Sequence, residues 1–100
     1  MSAANPYVEV ISDIARGARL HYENETSADP DLDLLLGDRS YASGLAKLAR
    51  IGDVEETARL ADLIARLAQL HADGQSAAAR QVLIDAEQRL GAAGVGEQRS

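Results

Sequence analysis

Residues 53–74 carry the most constraining pattern in the sequence, because polar side chains follow only one narrow line along a predicted helix. Asp53 is a suitable N-cap, Glu56 follows three residues later, and Gly52 and Gly74 flank the segment. The other positions are almost all Leu, Ile, Val or Ala. A helix with so wide an apolar surface must be covered by neighbours from at least two directions. The polar positions recur at spacings of four and three: Glu55, Arg59, Asp62, Arg66, Gln69 and Asp73.

Two further helix starts have the same form. Asn5-Pro6 and Asp29-Pro30 each combine a capping side chain with a proline suited to the first helical position. Residues 30–51 fit one helix kinked near Gly37, or two short helices with Asp38 as a second cap, and the sequence leaves both possibilities open. The pattern predicts an all-α, antiparallel bundle of about four helices, roughly at 6–23, 30–51, 54–73 and 77–90.

The connections set the expected topology and domain limits. The tight turn Ile51-Gly52-Asp53 predicts that the second and third helices are antiparallel neighbours. Residues 23–29 are polar and predict a loop. We expect a single helical domain over 1–90 and a disordered tail over 91–100, which is rich in Gly, Ala and polar residues.

Composition limits the classes of function. The 100 residues suit one domain, but the absence of Phe and Trp makes the expected core thin, and self-association is a common remedy. The net charge of −6, without a basic patch, predicts no nucleic-acid binding. Cysteine is absent, so no disulfide or Cys-based metal site forms. No signal-peptide pattern or apolar run of about 20 residues occurs, which predicts a cytoplasmic protein without a transmembrane segment.

One acidic motif resembles part of a calcium-binding loop. Asp29, Asp31 and Asp33 form D-x-D-x-D, but an EF-hand loop also needs Gly at its sixth position and Glu at its twelfth. Leu34 and Ser40 stand there instead. The acids are better explained as first-turn residues that favour the positive end of the helix dipole.

The two histidines are the other candidate metal ligands. A dinuclear carboxylate bundle uses Glu-x-x-His pairs, whereas Ala18 precedes His21 and Ala68 precedes His71 at that spacing. The pattern therefore favours no metal and no cofactor. A metal-dependent enzyme using His21, Glu25 and His71 remains the second alternative to the favoured function.

Catalytic motifs are also missing: the sequence has no G-x-S-x-G elbow and no glycine-rich phosphate loop. We therefore expect a non-catalytic helical protein that acts by protein–protein interaction or as an accessory subunit, self-associating or binding a larger assembly. The first alternative is a carrier of a hydrophobic, prenyl- or lipid-like ligand held between helices. The sequence does not show which helix contacts lie within one chain and which lie between two chains. The predicted interface residues are Gly37, Tyr41, Gly44, Leu60, Ile64, Leu67 and His71.

One stretch resembles a known family. The segment L-L-L-G-D-R-S-Y-A-S-G-L-A-K-L-A-R-I-G-D, continuing to A-D-L-I-A-R-L-A-Q-L-H-A-D-G-Q, is similar to the middle helices of trans-polyprenyl diphosphate synthases. It covers residues 34–75, less than half of the chain. The family's paired DDxxD motifs, which chelate magnesium and diphosphate, have no counterpart here. The resemblance therefore implies a related helix pair and no catalytic residue.

Overall fold

Four α-helices form the structure, a computed structural model that describes residues 5–24 and 26–99, with side chains described up to residue 91. They are α1 (Pro6–Tyr22), α2 (Pro30–Ile51), α3 (Val54–Ala72) and α4 (Ser76–Arg99). No strand occurs in these two ranges. The predicted all-α bundle of four helices is thus confirmed.

The predicted capping residues begin the first three helices. The Asn5 side chain accepts a hydrogen bond from the Tyr7 backbone N–H at 3.0 Å. The Asp29 side chain accepts a hydrogen bond from the Leu32 backbone N–H at 3.1 Å, and the Asp53 side chain accepts one from the Glu56 backbone N–H at 3.0 Å. Each carboxylate or amide oxygen thereby satisfies a backbone donor that has no partner inside the helix.

The second helix is continuous through Gly37, which decides between the two interpretations of residues 30–51. Asp38 does not act as a second cap, because its carboxylate instead pairs with His21 of α1 at 2.7 Å. Helix α2 ends at Gly52, whose φ of +83° is readily adopted only by glycine.

The fourth helix corrects the predicted boundary at residue 90, since it continues to Arg99. Residues 91–99 contain no proline, and the glycines among them weaken a helix without breaking it. The predicted disorder of residues 91–100 stays a prediction.

Helix α1, not α3, is the centre of the bundle. Its residues Val10 and Ile14 are fully buried, and it contacts each of the other three helices. Helix α2 packs antiparallel along α1, while α4 packs against α1 and α3. Helices α2 and α3 touch much less, so the short turn between them does not make them neighbours along their full length. The prediction that α2 and α3 are neighbours was therefore wrong for most of the length of these two helices.

The apolar core lies between α1, α3 and α4, with Leu48 contributed by α2. The partly buried side chains packed against it include Tyr7, Tyr22 and Leu45. None of the four helices, over the residues described, contains an apolar stretch that could span a lipid bilayer. The buried apolar residues are Val10, Ile11, Ile14, Ala15, Ala18, Leu48, Leu60, Leu63, Leu67, Ala79, Leu83, Ala86 and Leu90.

Candidate functional site

The predicted interface glycines face α1 of the same chain. A Cβ atom added to Gly37 would lie 2.5 Å from the His21 ring, and one added to Gly44 would lie 3.0 Å from the Val10 carbonyl oxygen. On α1, Gly17 is equally tight, with the Tyr41 ring at 2.5 Å and the Gly37 carbonyl oxygen at 2.9 Å. The small residues therefore permit the close packing of α1 on α2.

The predicted interface residues of α3 belong to the core. Leu60 and Leu67 are 0% and 1% exposed, and Ile64 is partly buried against them. In this fold, Leu60 and Leu67 are not available to a second chain. All seven predicted residues take part in packing between helices of the same chain.

An aromatic cluster joins α1 to α2. The rings of His21 and Tyr41 stack with centroids 5.3 Å apart, and His21 Nε2 lies 2.7 Å from the Asp38 carboxylate. The Tyr41 hydroxyl is buried and has no hydrogen-bond partner among the described residues. Burial, followed by the nearby charges, raises the pKa of Tyr41 far above its ordinary value, so its hydroxyl stays protonated.

The second histidine joins α3 and α4 to α1. The rings of Tyr22 and His71 are nearly parallel with centroids 4.0 Å apart, and His71 Nδ1 lies 3.2 Å from Ser76 Oγ. Burial lowers the pKa of His71, and the positive charge of Arg80 lowers it further. At neutral pH the His71 ring is therefore in its uncharged form.

This cluster does not assemble a recognisable catalytic or metal site. The carboxylate of Asp38 is bound to His21, whereas the hydroxyl of Ser76 contacts His71, so no single acid–histidine–serine relay forms. Nowhere in the described part of the chain do three His, Asp or Glu side chains come close enough to hold a metal ion. Glu25, the third ligand of the metal-enzyme alternative, lies outside the described residues.

A buried carboxylate, that of Glu56, lies between α3 and α4. Glu56 is 3% exposed and accepts two hydrogen bonds from Arg89, at 2.7 and 2.9 Å, and a third from Arg59 at 3.1 Å. Burial alone would raise the pKa of Glu56, but Arg89 and then Arg59 outweigh it, so the pKa lies below its usual range.

Glu55 with Arg59, and Asp62 with Arg66, are opposite charges four residues apart on α3, but neither pair forms an ion pair in the described structure. Arg59 pairs with Glu56, three residues earlier, instead of with Glu55. Asp62 and Arg66 do not approach within salt-bridge distance in the described structure. Because exposed pairs at this spacing contribute little, the buried acceptor wins the competition for Arg59.

A groove lies beside Arg59 and Arg89, the two arginines that bind Glu56. It has a volume of about 330 Å³ and lies between α3 and α4. Its floor is apolar, with Leu63, Val82 and Ala86, but Arg59, Asp62, Arg66, Asp85 and Arg89 surround it. A groove this shallow and charged gives no support to a prenyl or lipid ligand, which requires an enclosed apolar cavity.

Helix α2 has a second line of heptad spacing, which we call the α2 outer seam and which lies outside the predicted interface residues. Its positions follow spacings of three and four and are all exposed, with Leu32 at 47% and Leu35 at 59%. The signal was present in the sequence, since this spacing is typical of helix pairs. The α2 outer seam consists of Leu32, Leu35, Arg39, Ala42, Ala46 and Ala49.

Helix α3 has an exposed line of the same spacing, the α3 outer seam. Val54, at 80% exposed, is its most accessible member. Helices α1, α2 and α4 contact other sides of α3, and none of the described residues covers this line. The α3 outer seam consists of Val54, Ala58, Ala61, Ala65, Ala68 and Ala72.

Comparison of the chain with protein-family models, with curated proteins and with solved structures gave no match. The resemblance of residues 34–75 to trans-polyprenyl diphosphate synthases therefore stays a prediction.

Proposed function

We propose that this protein is a non-catalytic helical interaction module that binds another protein chain through the outer seams of α2 and α3. One observation carries the proposal: both helices bury one apolar line inside the bundle and expose a second line of coiled-coil spacing. An exposed leucine alone is ordinary on a protein surface. Two lines of exposed and mainly apolar side chains, interrupted in α2 by Arg39, are typical of an interaction surface.

The chemistry of the other clusters favours this function over catalysis. The Tyr and His side chains are engaged in packing between helices, and Glu56 is neutralised by two arginines. The alanines of the α3 outer seam would let a partner helix approach closely, because they project little from the backbone. The partner is a second copy of this chain or a component of a larger assembly, and the expected compartment is the cytosol.

Photo-cross-linking tests this proposal directly. A photoreactive amino acid is placed singly at Ala46 in the α2 outer seam, at Ala65 in the α3 outer seam, or at the control position Ala78. Ala78 is an exposed alanine on α4 outside both seams. After irradiation in extracts of the native host, seam positions should form adducts with protein, including copies of this chain, and Ala78 should not. Equal adduct yields at all three positions, or none, would contradict the proposal.

A further inference from the structure

We infer that a second copy of this chain docks antiparallel on the α2 outer seam, about a two-fold axis between residues 40 and 41. This inference rests on the proposed function and specifies one partner and one orientation for it. Antiparallel alignment about that axis brings together pairs of positions whose numbers sum to 81. All six positions of the seam then find a counterpart in the seam of the other copy: Leu32 faces Ala49, Leu35 faces Ala46, and Arg39 faces Ala42.

Side-chain size selects this orientation. The seam has leucines at its N-terminal end and alanines at its C-terminal end. Antiparallel pairing places a large residue opposite a small one near each end, so the two helix axes can stay at a constant distance. Parallel pairing would place Leu35 against Leu35 and Ala46 against Ala46, which would splay the helices at one end and leave a gap or strain at the other.

Charge selects the same orientation independently. The N-terminal half of α2 with its cap carries only acids: Asp29, Asp31, Asp33 and Asp38. The C-terminal half carries only bases: Arg39, Arg50 and Lys47, of which Lys47 is already paired with Asp13 of α1 at 2.8 Å. Antiparallel pairing sets the acidic half of each copy beside the basic half of the other. It also makes the two helix dipoles point in opposite directions, which is the favourable arrangement for neighbouring helices.

The centre of this interface is also neutral. Each Arg39 follows an Asp38 side chain that is 68% exposed, so the four charges nearest the two-fold axis sum to zero. The α3 outer seam does not select an orientation by side-chain size, because all of its members apart from Val54 are alanines.

Disulfide trapping distinguishes the orientations cleanly, because the chain has no cysteine. Leu35→Cys and Ala46→Cys proteins, one carrying a tag that shifts its mass, are mixed and oxidised. The inference predicts a mixed 35–46 dimer as the main product. In the antiparallel pair, two copies of position 35 lie about 16 Å apart along the axis, at 1.5 Å per residue, which is too far for a disulfide. Leu35→Cys mixed with Ala78→Cys serves as the control.

Because Leu35→Cys removes an apolar contact, the pair Leu32→Cys and Ala49→Cys, whose numbers also sum to 81, repeats the test with Leu35 intact. Predominant 35–35 and 46–46 dimers would show parallel pairing and overturn the inference. Mixed dimers no more abundant than in the control, from both pairs of variants, would overturn it as well. Either result leaves the proposed function standing if photo-cross-links still form at Ala46 or Ala65, since these would then report another partner or another face.

Discussion

Arg89 donates two hydrogen bonds from its guanidinium group to the two carboxylate oxygens of Glu56, at 2.7 and 2.9 Å, across the α3–α4 interface. The Glu56 side chain is only 4% exposed, whereas that of Arg89 is 45% exposed. The pair therefore fixes α4 on α3 with a carboxylate inside and a guanidinium at the surface. A bidentate contact of this kind restrains orientation as well as distance.

Glu56→Gln should destabilise the protein by about 1–3 kcal/mol, less than a fully buried pair would cost because water screens Arg89. The folded protein holds the pKa of Glu56 below its unfolded value, so this stabilisation is present above about pH 4.5 and is lost as the pH falls further. Chemical denaturation at pH 7 and at pH 3 measures both effects. Glu55→Gln, on the exposed side of α3, is the control. Equal losses for the two variants at pH 7 would contradict the role of the pair.

His71 should make the protein less stable in mild acid. Burial and Arg80 lower the pKa of His71 below 6.5, so the unfolded chain binds more protons than the folded one as the pH falls through 6.5. Stability should thus be greatest above that pH and should fall below it. His71→Phe keeps a ring for stacking on Tyr22 but cannot titrate. Its melting temperature should change less than that of the wild type between pH 7.5 and 5.5, and an identical change would contradict this assignment.

Gly17→Ala should destabilise the protein although alanine is the better helix former by about 1 kcal/mol. The new Cβ would lie 2.5 Å from the Tyr41 ring and 2.9 Å from the Gly37 carbonyl oxygen, which is backbone and cannot rotate away. Overpacking of about 1–3 kcal/mol should outweigh the gain in helix propensity. Gly91→Ala, with nothing within 4 Å of its Cβ, should instead raise stability. Thermal melts of both variants should move in opposite directions, and a stabilising Gly17→Ala would refute the close α1–α2 packing.

Ile64→Asp should strongly destabilise or unfold the protein, because Ile64 packs against the core and the new carboxylate would have no partner there. Ala65→Asp, one residue later and exposed, should change the free energy of unfolding by only about 0.5 kcal/mol. Circular dichroism during denaturation compares the two. If both variants melt like the wild type, the inward face of α3 is assigned incorrectly.

Local signals predicted the helices well, and contacts between distant residues explain what was missed. Asn5-Pro6, Asp29-Pro30 and Asp53 mark helix starts through hydrogen bonds within a few residues, so the sequence is sufficient to locate them. Periodicity shows which face of a helix is apolar but not which helix covers it, so the central place of α1 could not be deduced.

The burial of Glu56 was equally hidden, because its partner Arg89 is 33 residues away and on another helix. The α2 outer seam was different, because its spacing was visible in the sequence. It became recognisable as a surface only when Gly37 and Gly44 were seen to direct the other side of α2 onto α1. The helix thus has two apolar lines, and only the packing against α1 shows which of them is left open.

The most direct test of the interaction surface is the solution mass of the wild-type protein, measured by light scattering from sub-micromolar to near-millimolar concentration. Pairing through the α2 outer seam predicts a mass that rises to twice that of the chain and then stops, because a two-fold interface closes on itself. Ala46→Glu should shift this rise to higher concentration, while Ala78→Glu should not. A mass that stays at that of one chain over the whole range would contradict the second copy as the partner.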